Sequence, residues 1–232
     1  MAAEIIDALL DGEPMQLEAA DGQAFLGIYT RAAEDPAKGT VVLLHGRGFH
    51  PDWAEVVHPL RVGLAERGWN TLSIQLPVLA RDATYNDYLG VFGTAIPRIE
   101  AALVEARALA PGPVVLLAHS CGAHMAQHWM LAHDRQALDG LDAFIGIGMG
   151  ATDYGQPMRE PFALDRLRVP VLDLYGETDY PAVRRLAAAR LAALRRGGNP
   201  KSAQQVVADA DHYFTDRSEA LLDAVAAWLD TL

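Results

Sequence analysis

Residues 113–124 read P-V-V-L-L-A-H-S-C-G-A-H. The apolar run 114–118 breaks at His119, Ser120, Cys121 and Gly122, then passes into 123–133, where Met125, Trp129 and Met130 recur at helical spacing. Strand, sharp turn and helix follow without a linker. A serine on such a turn, with small residues two positions to either side (Ala118 and Gly122), has the form of a nucleophile elbow. The small flanks let strand and helix approach closely, and the tight turn lifts the Ser120 hydroxyl above the sheet edge. Ala118 stands where glycine is usual. Because an ordinary strand-to-helix turn can also carry small-x-Ser-x-Gly, the reading depends on partners elsewhere in the chain.

Toward the N-terminus, 15–18 and 23–31 read as two strands around Ala20-Asp21-Gly22, a hairpin with an Asp-Gly turn. A surface loop, 34–39, leads to a buried strand at 40–44 that ends in His45-Gly46-Arg47-Gly48. The pattern predicts a helix over 52–67, with Val56, Val57, Leu60 and Leu64 on one face and Gly68 as its stop. A strand at 70–76 follows, then a long helical segment, 85–110, open to a break near Gly93 and Pro97. Beyond the elbow come strands at 141–147, 169–175 and 204–208, a loop at 148–165, and helices at 181–196 and 219–232. This alternation indicates one α/β domain over residues 1–232, a mostly parallel, doubly wound sheet of about eight strands with an N-terminal antiparallel hairpin and no cap domain.

In such sheets, chemistry collects in the loops at the carboxyl ends of the strands. Three of those loops hold what an activated serine requires. A hydroxyl is a poor nucleophile until an imidazole takes its proton, and a carboxylate must orient that imidazole. His212 follows the last strand. Asp179 follows the strand before it, and Asp173 and Glu177 stand near enough in sequence to be alternatives. Asp173 lies within the strand pattern, however, and Asp211 adjoins His212 in an extended segment where neighbours point apart. The oxyanion needs donors as well. The amide of Cys121 supplies one, and that of Arg47 or of Gly48 the other.

Ser120, Asp179 and His212 stand in the chain order of the α/β-hydrolase triad. With H-G-R-G after the third strand, A-H-S-C-G, G-E-T-D and D-H-Y-F in sequence, the chain resembles the α/β-hydrolase superfamily, in particular its small uncapped serine esterases and dienelactone-hydrolase-like members. The resemblance implies a carboxylic ester or thioester hydrolase using Ser120, His212 and Asp179, with the Arg47 and Cys121 amides as oxyanion hole and no cofactor. The expected partner is a small-molecule ester. An acyltransferase of the same fold, or a catalytically silent binding protein, is the alternative. Dienelactone hydrolases use cysteine, but at the centre of the elbow, where this chain has Ser120; Cys121 is one residue late. The Arg47 side chain, beside the oxyanion loop, is a candidate for a substrate carboxylate.

Other patterns carry less. His124 and His128 are spaced as two zinc ligands would be, yet no glutamate lies between them and no third ligand is evident, so no metal is expected. His119 is assigned to framing the elbow. The run Gly146-Ile147-Gly148-Met149-Gly150-Ala151 matches a dinucleotide fingerprint, but the Gly- and Pro-containing segment after it does not read as a helix that would hold a pyrophosphate. It reads as a permissive loop beside the site. Phe49, Trp53, Tyr85, Tyr88, Tyr154, Tyr180 and Tyr213 are candidate pocket aromatics. Substrate-binding residues are otherwise open, as is the oligomeric state.

Composition suits one globular domain with a large core: 232 residues, 51% hydrophobic, with a formal net charge of −11. So acidic a chain is not expected to bind nucleic acid. The one basic cluster, Arg184, Arg185, Arg190, Arg195 and Arg196, reads as the solvated face of a helix. The single cysteine gives no sign of an oxidising compartment, and no run approaches a membrane span. The start, M-A-A-E-I-I-D-A-L-L-D, lacks a signal peptide's basic lead and apolar core, so a cytoplasmic location is the expectation.

Overall fold

The computed structural model describes residues 2–138, 140–158 and 160–232. Its strands are β1 (Glu13–Glu18), β2 (Ala24–Thr30), β3 (Thr40–Leu44), β4 (Asn70–Ile74), β5 (Val114–His119), β6 (Ala143–Ile147), β7 (Val171–Gly176) and β8 (Ala203–Val207). The helices are α1 (Ala2–Ala8), α2 (Val57–Glu66), α3 (Tyr85–Tyr88), α4 (Ile96–Leu109), α5 (Cys121–Ala132), α6 (Arg135–Leu138), α7 (Pro181–Gly197) and α8 (Ser218–Leu229). All eight strands form one sheet in the order β1-β2-β4-β3-β5-β6-β7-β8. The first two form an antiparallel hairpin, which joins antiparallel to β4; every later pairing is parallel.

The central strands are apolar on both faces because helices cover both. In β3, Val41 and Leu43 point to one side and Val42 and Leu44 to the other; in β5, Val115 and Leu117 oppose Val114, Leu116 and Ala118. One face packs on Leu60 and Leu64 of α2 and Leu221, Val225 and Trp228 of α8. The opposite face meets Ile99 and Ala102 of α4, Met125 and Met130 of α5, and Leu194 of α7. Each fully buried side chain of this size removes about 2 kcal/mol of apolar surface cost from water. The register β3–β5–β6 aligns Leu44, Ala118 and Gly146. The strand ends, and the loops after them, therefore meet along one edge.

Several boundaries differ from the pattern. Helix α2 begins at Val57 instead of residue 52 because Asp52 is engaged elsewhere: its Oδ1 accepts from His58 Nδ1 (2.8 Å) and Arg61 Nη2 (2.6 Å), and Val56 takes φ 62°. The segment 85–110 divides into α3, a 3₁₀ turn (Phe92–Ala95) and α4, with the break where Gly93 and Pro97 suggested it. The short helices α1 and α6 had no sequence signal, being less than the length over which a helical period can be read. Arg190 is a correction. It is no part of a solvated face: it lies 3% exposed, its Nε donating to both carboxylate oxygens of Asp173 (2.9 and 3.0 Å). Between β6 and β7 the described residues hold only one 3₁₀ turn, Leu164–Arg166, and no cap domain; Arg159 of that segment lies outside the described residues. Among the described residues no helix is long and apolar enough to cross a membrane.

Candidate active site

Ser120 stands between β5 and α5 with φ 54° and ψ −115°, a region a residue with a Cβ occupies only when its surroundings hold it there. Its amide donates to Ile147 O (2.9 Å) at the end of β6, and its carbonyl accepts from the Ala123 amide (3.0 Å). A Cβ on Gly122 would lie 2.6 Å from His45 O and 2.8 Å from Leu44 O. Only glycine, then, lets α5 start against the end of β3. Ala118 is fully buried in the core beneath the turn, where a methyl group fits.

His212 comes from the loop between β8 and α8, and Asp179 from the loop between β7 and α7. The two loops are tied together, since the amide and hydroxyl of Thr178 both donate to Ala210 O (2.9 and 2.8 Å). His212 Nδ1 lies 2.7 Å from Asp179 Oδ1, and its Nε2 lies 2.8 Å from Ser120 Oγ. With Nδ1–H donated to the carboxylate, the Nε2 lone pair is free to accept the serine hydroxyl. The His212 and Asp179 side chains are 2% and 0% exposed, so charge developing on the imidazole would face the carboxylate with little screening. The structure thus brings Ser120, His212 and Asp179 together in one hydrogen-bonded chain.

The rival carboxylates are occupied elsewhere. Asp173 is paired with Arg190 and accepts Gln204 Nε2 (2.7 Å). Glu177 accepts the Asp209 amide (3.0 Å), and Asp211 turns its own loop by accepting the amides of Tyr213 (3.0 Å) and Thr215 (2.9 Å). His119, 1% exposed, donates from Nε2 to His212 O (3.1 Å), which braces the backbone of the histidine loop from below. Burial, helped by the nearby His212, lowers its pKa to about 3, so it stays neutral.

On the opposite side of Ser120, residues 46–49 form a turn closed by the Phe49 amide on Gly46 O (3.3 Å). His45 shapes it from beneath: Nδ1–H donates to Gly46 O (2.8 Å) while Nε2 accepts the Leu76 amide (3.0 Å). Arg47 occupies the turn, and its guanidinium grips Asp153 (2.6 and 3.1 Å), which also accepts the Tyr85 amide (2.6 Å). These donors, Arg47 foremost, hold the Asp153 carboxyl below the usual range. The fork that a substrate carboxylate would need is already engaged. Cys121 opens α5, so its amide is one of the helix's unsatisfied N-terminal donors. Burial pushes its thiol up to about 12 against the opposing pull of Arg47, which leaves it protonated and a poor nucleophile.

The Gly146–Ala151 stretch is the end of β6 followed by a turn that opens no helix. Gly148 has φ +61°, and a Cβ there would lie 2.8 Å from His212 Cε1, so the loop packs directly against the imidazole. His124 is structural: its Nε2 donates to Ala151 O (3.0 Å), and its ring stacks on Phe92. The aromatic candidates separate. Tyr88 is buried in the core, Tyr85 packs beside Phe92, and Tyr154 is fully exposed, whereas Tyr180 and Tyr213 stand against His212, with Phe49 edge-on to Tyr213 and Trp53 stacked on Phe49. Sequence reading missed Asp153 altogether. It sits in a loop with no periodic pattern, and its role depends on Arg47 from across the chain.

A family described as a protein of unknown function (DUF3530) matches residues 1–88, a stretch that ends before the elbow. No curated protein matches the chain in sequence. Solved structures match it almost end to end. A cold-adapted esterase from an Arctic intertidal metagenomic library superposes with a TM-score of 0.71 at 20% identity, over 94% of this chain and 92% of that one. A dienelactone hydrolase from Anabaena variabilis gives 0.69 at 17%, over 95% and 97%. A serine hydrolase without a lid from Xanthomonas campestris gives 0.68 at 15%, over 96% and 95%. Likeness at this identity speaks for architecture, and together with the strand order it shows that the chain has the α/β-hydrolase fold in its lidless form.

Proposed function

We propose that the protein is a serine hydrolase that cleaves a carboxylic ester or thioester of a small to medium soluble substrate through an acyl-enzyme. The observation that carries this reading is the continuous hydrogen-bonded chain from Ser120 Oγ through His212 to Asp179 Oδ1, at 2.8 and 2.7 Å, on a serine held at φ 54°. Strain of that kind persists where it serves a site.

In the first step Ser120 Oγ attacks the carbonyl carbon and its proton passes to His212 Nε2, while Asp179 holds the Nδ1–H and balances the imidazolium charge. The amides of Cys121 and Arg47 receive the oxyanion; one such donor contributes about 3 kcal/mol to barrier lowering. The C–O or C–S bond then breaks as His212 returns the proton to the leaving group. Water, deprotonated by the same imidazole, attacks the acyl-serine and releases the acid. With no cap domain among the described residues, the site is suited to short acyl chains.

The test is pre-steady-state hydrolysis of p-nitrophenyl acetate. A burst of about one equivalent of p-nitrophenol per chain, absent in Ser120→Ala, is expected. Linear release with no burst and equal rates in both proteins would sink the reading. A higher kcat/KM for lauroyl than for acetyl or butyryl esters would overturn the short-chain part.

A further inference from the structure

Four partly exposed rings form a row that starts at His212. Trp53 and Phe49 stack face to face, their centroids 4.0 Å apart and planes 6° from parallel. Phe49 meets Tyr213 edge-on at 5.8 Å, and Tyr213 meets Tyr180 at 89°, their hydroxyls hydrogen-bonded at 2.9 Å. Tyr180 in turn lies over the His212 imidazole at 4.3 Å and 20°. Phe49, Trp53 and Tyr213 are half-buried and Tyr180 is 40% exposed, unlike the sealed Tyr88 and Phe92 of the core. The hydroxyl pair and the ring stack fix the row before any ligand arrives, so little ordering cost remains on binding.

Resting on the hydrolase reading above, we propose that this row is the leaving-group subsite and selects esters of a neutral aromatic alcohol. The argument is one of proton delivery. His212 Nε2 must protonate the departing oxygen, so that oxygen sits within hydrogen-bond reach of the imidazole, and the rings that flank the imidazole border the alcohol portion. Phe49 extends the row toward the oxyanion turn: a Cβ on Gly46 would touch its ring at 3.1 Å. The row therefore runs from the turn at Gly46 to the imidazole of His212. Aromatic surface favours a ring in edge or offset contact over a saturated group of the same size. Of the charged groups beside this rim, Arg47 is matched by Asp153 and Asp211 accepts the amides of Tyr213 and Thr215, so both are already engaged and the row itself presents neutral aromatic surface.

The experiment compares kcat/KM for benzyl acetate and cyclohexylmethyl acetate, which share an acyl group and differ in the ring. A preference for benzyl of about fivefold to tenfold is expected, the range one or two aromatic contacts supply. Phe49→Leu and Trp53→Leu should each bring the ratio toward one. The matched acyl pair, methyl phenylacetate and methyl cyclohexylacetate, should show no such preference. Fluorophosphonate labelling of Ser120 in the same preparation separates the two ideas. Labelled protein with equal rates for both acetates, a ratio unchanged in folded variants, or a preference on the acyl side instead would overturn the subsite while leaving the hydrolase reading intact. Unlabelled, inactive protein would overturn both.

Discussion

A methyl group on Gly148 would fall 2.8 Å from Cε1 and 3.0 Å from Nδ1 of His212, on a backbone at φ +61°. Gly148→Ala is therefore expected to push the imidazole off its line between Ser120 and Asp179. Ester turnover should fall at least about 100-fold, the loss that a misplacement of about 1 Å brings, with the sheet intact by circular dichroism; wild-type kcat would refute the contact. Asp179→Asn keeps the shape but presents the imidazole with the wrong partner, and kcat is expected to drop about 10⁴-fold while KM changes little. At this scale the meeting of Ser120, His212 and Asp179 in one hydrogen-bonded chain was legible. Ser120, His212 and Asp179 each follow a strand-like run, and the topology does the rest by aligning strand ends. The Arg47–Asp153 grip and the Tyr180 ring over His212 were not legible, because each is a meeting of loops whose conformations depend on one another rather than on local pattern.

Among the elements, α7 shows how composition misleads. Its arginines read as a solvated row, yet Arg190 turns inward, pairs with Asp173 at 2.9 Å, and donates from Nη1 to Met149 O (2.8 Å) and Val183 O (2.9 Å). Helical period places residue 190 on the buried stripe with Val183, Ala187 and Leu194, a fact that a count of charges overlooks. Asp173, buried within β7, is raised by its desolvation even though Arg190 and Gln204 pull it down. Arg190→Met, leaving that carboxylate unpaired, is expected to cost about 3–5 kcal/mol in urea unfolding, and adding Asp173→Leu should recover most of it. A double variant no better than the single one would contradict the pairing. The parallel strands themselves were legible, since two-sided burial leaves continuous apolar runs such as 114–118. Helix starts were less so: α2 begins five residues late because Asp52 spends its carboxylate on His58 and Arg61 instead of opening the helix.

For the molecule as a whole, buried histidines set the response to acid. His45 and His124 are lowered to about 4 and His119 to about 3, in each case chiefly by burial. In the unfolded chain all three take protons near pH 6.5. The unfolded state therefore binds more protons below that pH, and stability, complete above it, is expected to decline as pH falls from about 6.5 toward about 4, by on the order of 3 kcal/mol per histidine at full effect. His124→Gln, which can still donate to Ala151 O, should flatten the fall by about one proton; an unchanged slope would show that His124 does not titrate this way. The fold, the strained serine and the buried imidazole–carboxylate pair all converge on one claim, that Ser120 is an activated nucleophile. Intact mass after treatment with a fluorophosphonate tests it most directly: one stoichiometric adduct, lost in Ser120→Ala, is the expected result, and folded wild-type protein that takes up none, or an adduct that survives in Ser120→Ala, would contradict it.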